Sequence, residues 1–227
     1  MAWQVDAADF GGTVVNFSQG VHPDLPATEQ FPWMTVRFNM TPVTTAGCCM
    51  ALTVNFFEWY LSGKDVEGYF AWLQTPGGIS KVMNMQTKYL GWSTSFGGEP
   101  TRTGNDVTRF LNAFRRKVED DIYKSLKFTD VHSPMLPSRL GSLADEVTRD
   151  FSKHGRVFKP IYLAALSGTA HAIGAILDYG QSRHLFFDPN EGVAEFMKVP
   201  HMKTWLEGVE PEYKDNYDAF FADTKKR

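Results

Sequence analysis

Three side-chain types that together perform acyl transfer, a thiol, an imidazole and a carboxylate, occur at separated points of this chain. Residues 168–192 read GTAHAIGAILDYGQSRHLFFDPNEG. Two apolar runs, 170–177 and 184–187, flank the polar, Gly-containing stretch 178–183, which is a hairpin pattern. Pairing Leu177 with Ser182 sets His171 opposite Asp188, and facing Cβ atoms in an antiparallel pair lie roughly 4.5–5.5 Å apart. A carboxylate there fixes the tautomer and orientation of the ring, as a general base requires. The same residues also fit an ordinary strand followed by a turn, because Asp188-Pro189-Asn190 is turn chemistry in its own right.

The thiols are Cys48 and Cys49, directly before the run MALTVNFFEWYLSG. Leu52, Phe56, Trp59 and Tyr60 recur there at helical spacing and Ser62-Gly63 supplies a stop, so the spacing predicts a buried helix that starts near Cys49. The positive end of a helix dipole favours a thiolate, and the first-turn amides lack helical partners, leaving the Cys49 N–H available to a developing oxyanion. Two small buried core residues are the plain alternative. Adjacent cysteines cannot close an ordinary disulfide with each other, and neither they nor six scattered His residues make a metal pattern, so no cofactor or metal is expected.

The elements that must position these groups fall into two parts. Residues 65–73 read as a short amphipathic helix ended by Thr75-Pro76-Gly77-Gly78, with a second segment over 80–89 and a Gly/Ser/Thr-rich loop over 91–104. From 107 to 126 the apolar residues Val107, Phe110, Leu111, Phe114, Val118, Ile122 and Leu126 form one stripe of a long helix. Pro134 and Pro137 end that segment, and 140–151 reads as another helix. After Gly155 the pattern turns to period two: a strand through 157–166, the hairpin, and a fourth strand over 193–199. Earlier, 14–17 and 35–38 read as short strands. The expectation is an α+β chain forming a single domain over 1–227, mainly helical over about 40–154 and antiparallel sheet over 155–200, with 1–40 unassigned. The site belongs in the cleft between the two parts.

Composition sets the outer bounds. The 227 residues carry 43% hydrophobic, 14% aromatic and 22% charged residues and a formal net charge of −3, an ordinary globular balance without a basic stripe for nucleic acid. Lys225-Lys226-Arg227 reads as a solvated tail. No run approaches the ~18 apolar residues of a membrane span, and MAWQVDAADFGG lacks the basic start and apolar core of a cleavable signal peptide.

Gly47-Cys48-Cys49-Met50-Ala51-Leu52 resembles the G-x-C-x-[GA]-L nucleophile motif of the YopT/AvrPphB-type cysteine peptidases, papain-like proteases of bacterial effectors and toxins. His171-Ala172-Ile173-Gly174 and Phe186-Phe187-Asp188-Pro189-Asn190-Glu191-Gly192 resemble that family's H-A-[VI]-[AG] and F-F-D-P-N-x-G segments, in the family's order. The resemblance implies a papain-like fold with the Cys at a helix N-terminus in the helical lobe and His and Asp in the sheet lobe. It also implies Cys49 as nucleophile, His171 as base and Asp188 as orienter. The window where papain-like enzymes place a second oxyanion donor holds Pro42, Val43, Thr44 and Thr45, so Thr44, Thr45 or Asn39 is the candidate beside the Cys49 amide. The implied function is a thiol protease made in a bacterial cytoplasm, secreted or injected without a cleavable signal, that cleaves a target-cell protein. A secretion chaperone or an immunity protein would be a further partner. The alternatives are an NlpC-type peptidoglycan amidase or endopeptidase, whose D-C-S-G-L motif is missing here, another Cys-His acyltransferase, and a non-catalytic protein-binding module built on Trp59, Trp72 and Trp92.

Overall fold

The computed structural model describes residues 3, 5–17, 19, 48–95, 116, 126–132, 138–139, 143–149, 155–165 and 170–226, with the main chain alone over 90–95, 130–132 and at 139. The long helix expected over 107–126, the strand over 35–38 and the prolines 134 and 137 fall largely or wholly outside those residues.

One antiparallel sheet frames the molecule. Its strands are β1 (Gly12–Asn16), β2 (Thr129–His132), β3 (Ser138–Arg139), β4 (Arg156–Ala164), β5 (Ala170–Asp178), β6 (Arg183–Asp188), β7 (Gly192–Phe196), β8 (Ala219–Ala222) and β9 (Thr224–Lys226). The order is β1-β7-β6-β5-β4-β8-β3, with β9 paired to both β4 and β2. Helices α1 (Cys49–Leu61), α2 (Val66–Leu73) and α3 (Pro76–Ser95) pack on one face, while α4 (Leu143–Thr148) and α5 (Val199–Lys214) pack on the other. Along β5, Ala172 and Ile176 enter the first core, whereas Ile173, Ala175 and Leu177 enter the second. Burial on both faces is why these strands read as almost continuous apolar runs.

The geometry of α1 on β5 decides where Cys49 lies. Thr53 donates through Oγ1 to the Ala172 carbonyl at 3.1 Å, and Phe57 packs on Gly174, where a Cβ would sit 2.7 Å from Phe57 Cζ. Four helical residues rise about 6 Å and two strand residues about 6.7 Å, so helix and strand advance together in the same direction. One step back aligns Cys49 with Ala170, the residue before His171. At the other end Tyr60 donates to Asp178 Oδ2 at 3.2 Å, and Arg156 Nε holds the same oxygen at 2.6 Å. Helix α1 is thus pinned along its length.

On the opposite face, α4 is held at both ends by charge. Ala144 N donates to Glu210 Oε1 at 2.6 Å, and the buried Lys159 ammonium donates to the carbonyls of Glu146 at 2.7 Å and Arg149 at 2.6 Å. A carboxylate at a helix N-terminus and a cation at its C-terminus both oppose the dipole favourably.

Several expectations are corrected. The hairpin pairs Asp178 with Arg183 and Leu177 with His184, two residues away from the Leu177–Ser182 register. Asp178 stays in the ladder because Oδ1 accepts Gln181 N at 3.1 Å, folding the turn onto residues 179–182. Thr75-Pro76-Gly77-Gly78 starts a helix as well as ending one: Gly78 N donates to Thr75 Oγ1 at 3.1 Å and Pro76 opens α3, which runs on to Ser95 through the start of the expected loop. The helix expected over 140–151 is confined, among the described residues, to Leu143–Thr148. The strand expected over 193–199 stops at Phe196, and Val199 opens α5. Lys225 and Lys226 form β9, and Lys225 is wholly buried, where a solvated tail was expected.

Candidate active site

His171 and Asp188 lie at strand ends, beyond the last β5–β6 ladder pair, Gly174–Phe187. A two-residue change of register keeps every side chain on its face, so both still lie on the α5 side of the sheet, offset along the strands instead of directly opposed. His171 Nε2 is 2.7 Å from Asp188 Oδ1. The position opposite His171 falls on Asn190, whose Nδ2 is 3.5 Å from the same ring nitrogen.

Asp188 is fully engaged. Besides His171, Oδ1 accepts the Asn190 amide at 2.8 Å, and Oδ2 accepts the Tyr213 hydroxyl at 2.8 Å. The Asp188–Gly192 pair closes a turn in which Glu191 N donates to Asp188 O at 3.0 Å. Main-chain bonds from Phe17 N to Glu191 O and from Gln19 N to Pro189 O tie that turn to the segment after β1. Gln19 Nε2 donates to Asn190 Oδ1 at 2.7 Å, which fixes the Asn190 side chain beside the imidazole.

Burial is the largest influence on both members of the pair and opposes charge on each, yet their polar contacts together outweigh it. Desolvation pushes His171 down, but the charge and hydrogen bond of Asp188, with a smaller hydrogen bond to Cys49, raise it to about 10. Desolvation pushes Asp188 up, but His171, the Asn190 amide and the Tyr213 hydroxyl hold it below the ordinary carboxylate value. With Nε2 committed to Asp188, the ring nitrogen left for Cys49 is Nδ1.

Cys49 is the first residue of α1, with Cys48 at the N-cap, and the first helical hydrogen bond runs from Leu52 N to Cys48 O at 2.8 Å. The amides of Cys49, Met50 and Ala51 precede that bond. Cys48 is 0% exposed and Cys49 7%. Burial, and then the neighbouring Cys49, pushes Cys48 up to about 12, so its thiol stays protonated. Cys48→Ala is therefore expected to keep full peptidase activity and to cost about 1 kcal/mol of stability at most, measured by parallel activity and denaturant titrations.

Tyr217 stacks on the imidazole, with ring centroids 6.1 Å apart and planes at 13°. Thr44, Thr45 and Asn39 lie outside the described residues. Sequence reasoning missed Tyr213, Tyr217 and Gln19. The two tyrosines follow Met202, Trp205, Leu206 and Val209 at spacings of three and four, an amphipathic signal obscured by Pro200 and Pro211. No pattern in the sequence marks Gln19. Trp59 and Trp72 pack against each other at 5.4 Å and against Tyr69, between the helices.

The paired charges make stability depend on pH. His171 is raised, so its contribution is complete below the unfolded value of 6.5 and is lost as pH climbs through about 10. Asp188 is lowered, so its contribution is complete above its unfolded value of 3.8 and is lost as pH falls through the folded one. The melting-temperature gap between the native chain and Asp188→Asn is expected to be widest from about pH 4 to 6.5 and narrower at pH 9. A gap independent of pH would contradict the ion pair.

Comparison with known proteins bears on the fold and the family. The crystal structure of the Pseudomonas avirulence protein AvrPphB superposes with a TM-score of 0.60 at 18% identity, over 98% of this chain and all of that one, which shows a shared papain-like fold. PatoxP, a cysteine protease-like domain of the Photorhabdus asymbiotica toxin PaTox, aligns over 91% of this chain and 84% of its own at 12% identity. Its TM-score of 0.27 is too low to bear on the fold. No curated protein sequence matches the chain. The model of Peptidase_C58, described as Yersinia/Haemophilus virulence surface antigen, matches residues 4–220, and the chain belongs to this YopT/AvrPphB family of cysteine peptidases.

Proposed function

We propose that the protein is an effector-type protease that cleaves a protein of a target cell through Cys49, His171 and Asp188. The observation that carries this reading is the buried His171 Nε2–Asp188 Oδ1 contact of 2.7 Å, on an imidazole that Cys49, at the start of α1, helps to raise. Cys49 thiolate attacks the scissile carbonyl, and the electron pair moves onto the carbonyl oxygen. The Cys49 amide faces that oxygen at the helix start, with Thr44, Thr45 or Asn39 as the second donor. Nδ1–H of His171 protonates the departing amine, leaving a thioester on Cys49. His171 then takes a proton from water, whose oxygen attacks the thioester, and the acid leaves as the thiolate returns. Asp188 keeps Nε2 protonated and the ring aligned throughout.

Family membership favours a protein substrate over peptidoglycan, and the D-C-S-G-L sequence of NlpC-type enzymes is replaced here by Gly47-Cys48-Cys49-Met50-Ala51-Leu52. Delivery by secretion or injection, with a chaperone or immunity partner, fits this role. Among the described residues no helix is long and apolar enough to cross a membrane. The test is to treat a target-cell lysate and purified cell wall with the native chain and with Cys49→Ala. New protein N-termini from the native chain alone support the reading, whereas soluble muropeptides without new protein termini would move it to the cell-wall alternative.

A further inference from the structure

Resting on that triad, we propose that Tyr213 is a positioning residue of the same relay, acting on His171 through Asp188. Tyr213 lies in the last turn of α5, and its hydroxyl donates to Asp188 Oδ2 at 2.8 Å. Trp3 Nε1 donates to the Tyr213 oxygen at 3.4 Å, so the oxygen's lone pair has its own partner and its proton is left for the carboxylate. The ring is buried against Phe186, centroids 6.3 Å apart at 76°, and Phe186 itself packs on Trp205. The hydroxyl is therefore mounted on a rigid post.

Asp188 has two oxygens with separate duties. Oδ1 meets His171 and the Asn190 amide, whereas Oδ2 has Tyr213 as its hydrogen-bond donor among the described residues. Without the hydroxyl the carboxylate is held at one oxygen only and gains freedom to turn about its Cβ–Cγ bond, carrying the imidazole with it. A buried anionic oxygen would also lose its donor, which favours the protonated acid. The other titratable groups around the pair are Cys49 on α1, Glu191 in the turn after β6, Glu212 on α5 and Tyr217 just beyond it. Burial first, and then the Asp188 and Glu212 carboxylates, push Glu191 up to about 8, so at pH 6 it is protonated and the anion of this pocket is Asp188. Sequence spacing gave no hint of this role, because Tyr213 lies 25 residues beyond Asp188 on another element.

Two readouts on the full-length chain test the role. The first is the protonation midpoint of Asp188, followed by carboxyl carbon NMR and assigned by its loss in Asp188→Asn. The second is the rate of Cys49 alkylation by iodoacetamide at pH 6 in the native chain, Tyr213→Phe, Asp188→Ala and the double variant. Tyr213→Phe is expected to raise the Asp188 midpoint by about one pH unit and to slow alkylation roughly 3- to 10-fold. Added to Asp188→Ala, it should slow alkylation no further. An unmoved midpoint, or equal slowing with and without Asp188, would make Tyr213 a packing residue and overturn the inference. If His171→Ala and Asp188→Ala alkylate at the native rate, the triad itself fails and the inference goes with it. If both are slow while Tyr213→Phe matches the native chain, only the role of Tyr213 fails.

Discussion

Cys49→Ala should reduce proteolysis to background, a loss of roughly 10⁴-fold or more, since the residues of a nucleophile–base unit fail together when either is removed. The substitution deletes one sulfur from a position that is already 7% exposed, and the helix start, the α1–β5 contacts and the His171–Asp188 pair stay in place. Its thermal midpoint should stay within a few degrees of the native one. His171→Ala should lose activity to the same degree but cost more stability. It strands Asp188 at 2% exposure with only the Asn190 amide and the Tyr213 hydroxyl, and breaking a buried pair costs about 3–5 kcal/mol. Asp188→Ala should be milder in rate than either, because it removes orientation and leaves nucleophile and base. A peptidase assay alongside thermal unfolding checks all three, and native-rate cleavage by Cys49→Ala would remove the thiol from the chemistry.

Gly174→Val is expected to disable the site from a distance. A Cβ at Gly174 would stand 2.7 Å from Phe57 Cζ, 2.9 Å from Phe57 Cε1 and 3.0 Å from Thr53 Cγ2. Neither neighbour can yield easily. The Phe57 ring is buried against Phe158, with centroids 5.5 Å apart at 77°, and Thr53 is tied to the Ala172 carbonyl. Both belong to the face of α1 that begins with Cys49, so the strain lifts the nucleophile helix from β5. Overpacking of this kind costs about 3 kcal/mol, a fall of roughly 6–12 °C in a chain this size. A displacement near 1 Å at the sulfur lowers the rate by about 10²-fold. Gly174→Ala should show the same effects in smaller measure. A Gly174→Val enzyme with native rate and midpoint would contradict the packing of α1 on β5.

What could be read from the sequence follows from how locally each feature is specified. The start of α1 at Cys49 follows from a helical apolar pattern with a Gly stop, and the β5–β6 hairpin follows from two β-rich runs around a polar turn. The placement of His171 and Asp188 on one side of the sheet survived a wrong register because the error was two residues, the period of a strand. A shift of one would have separated them. The register itself was not legible, since it is set by Asp178, whose carboxylate answers to Gln181, Arg156 and Tyr60 on three different segments. The segments 200–214 and 219–224 went unread, and Lys225-Lys226 was read as a solvated tail, for a related reason. Two prolines and many charges mask the apolar stripe of α5, and β9 is a strand of lysines that pairs only because β2 and β4 supply its partners. Tyr213 and Tyr217 therefore came into view only with the packing of α5 against the sheet.

The most direct measurement is alkylation by iodoacetamide at pH 6, mapped by mass spectrometry to Cys48 and Cys49, in the native chain and in His171→Ala. The account predicts rapid, stoichiometric modification of Cys49, none of Cys48, and at least about a tenfold slower reaction once the imidazole is gone. Modification of Cys49 that is equally slow with and without His171 would contradict it.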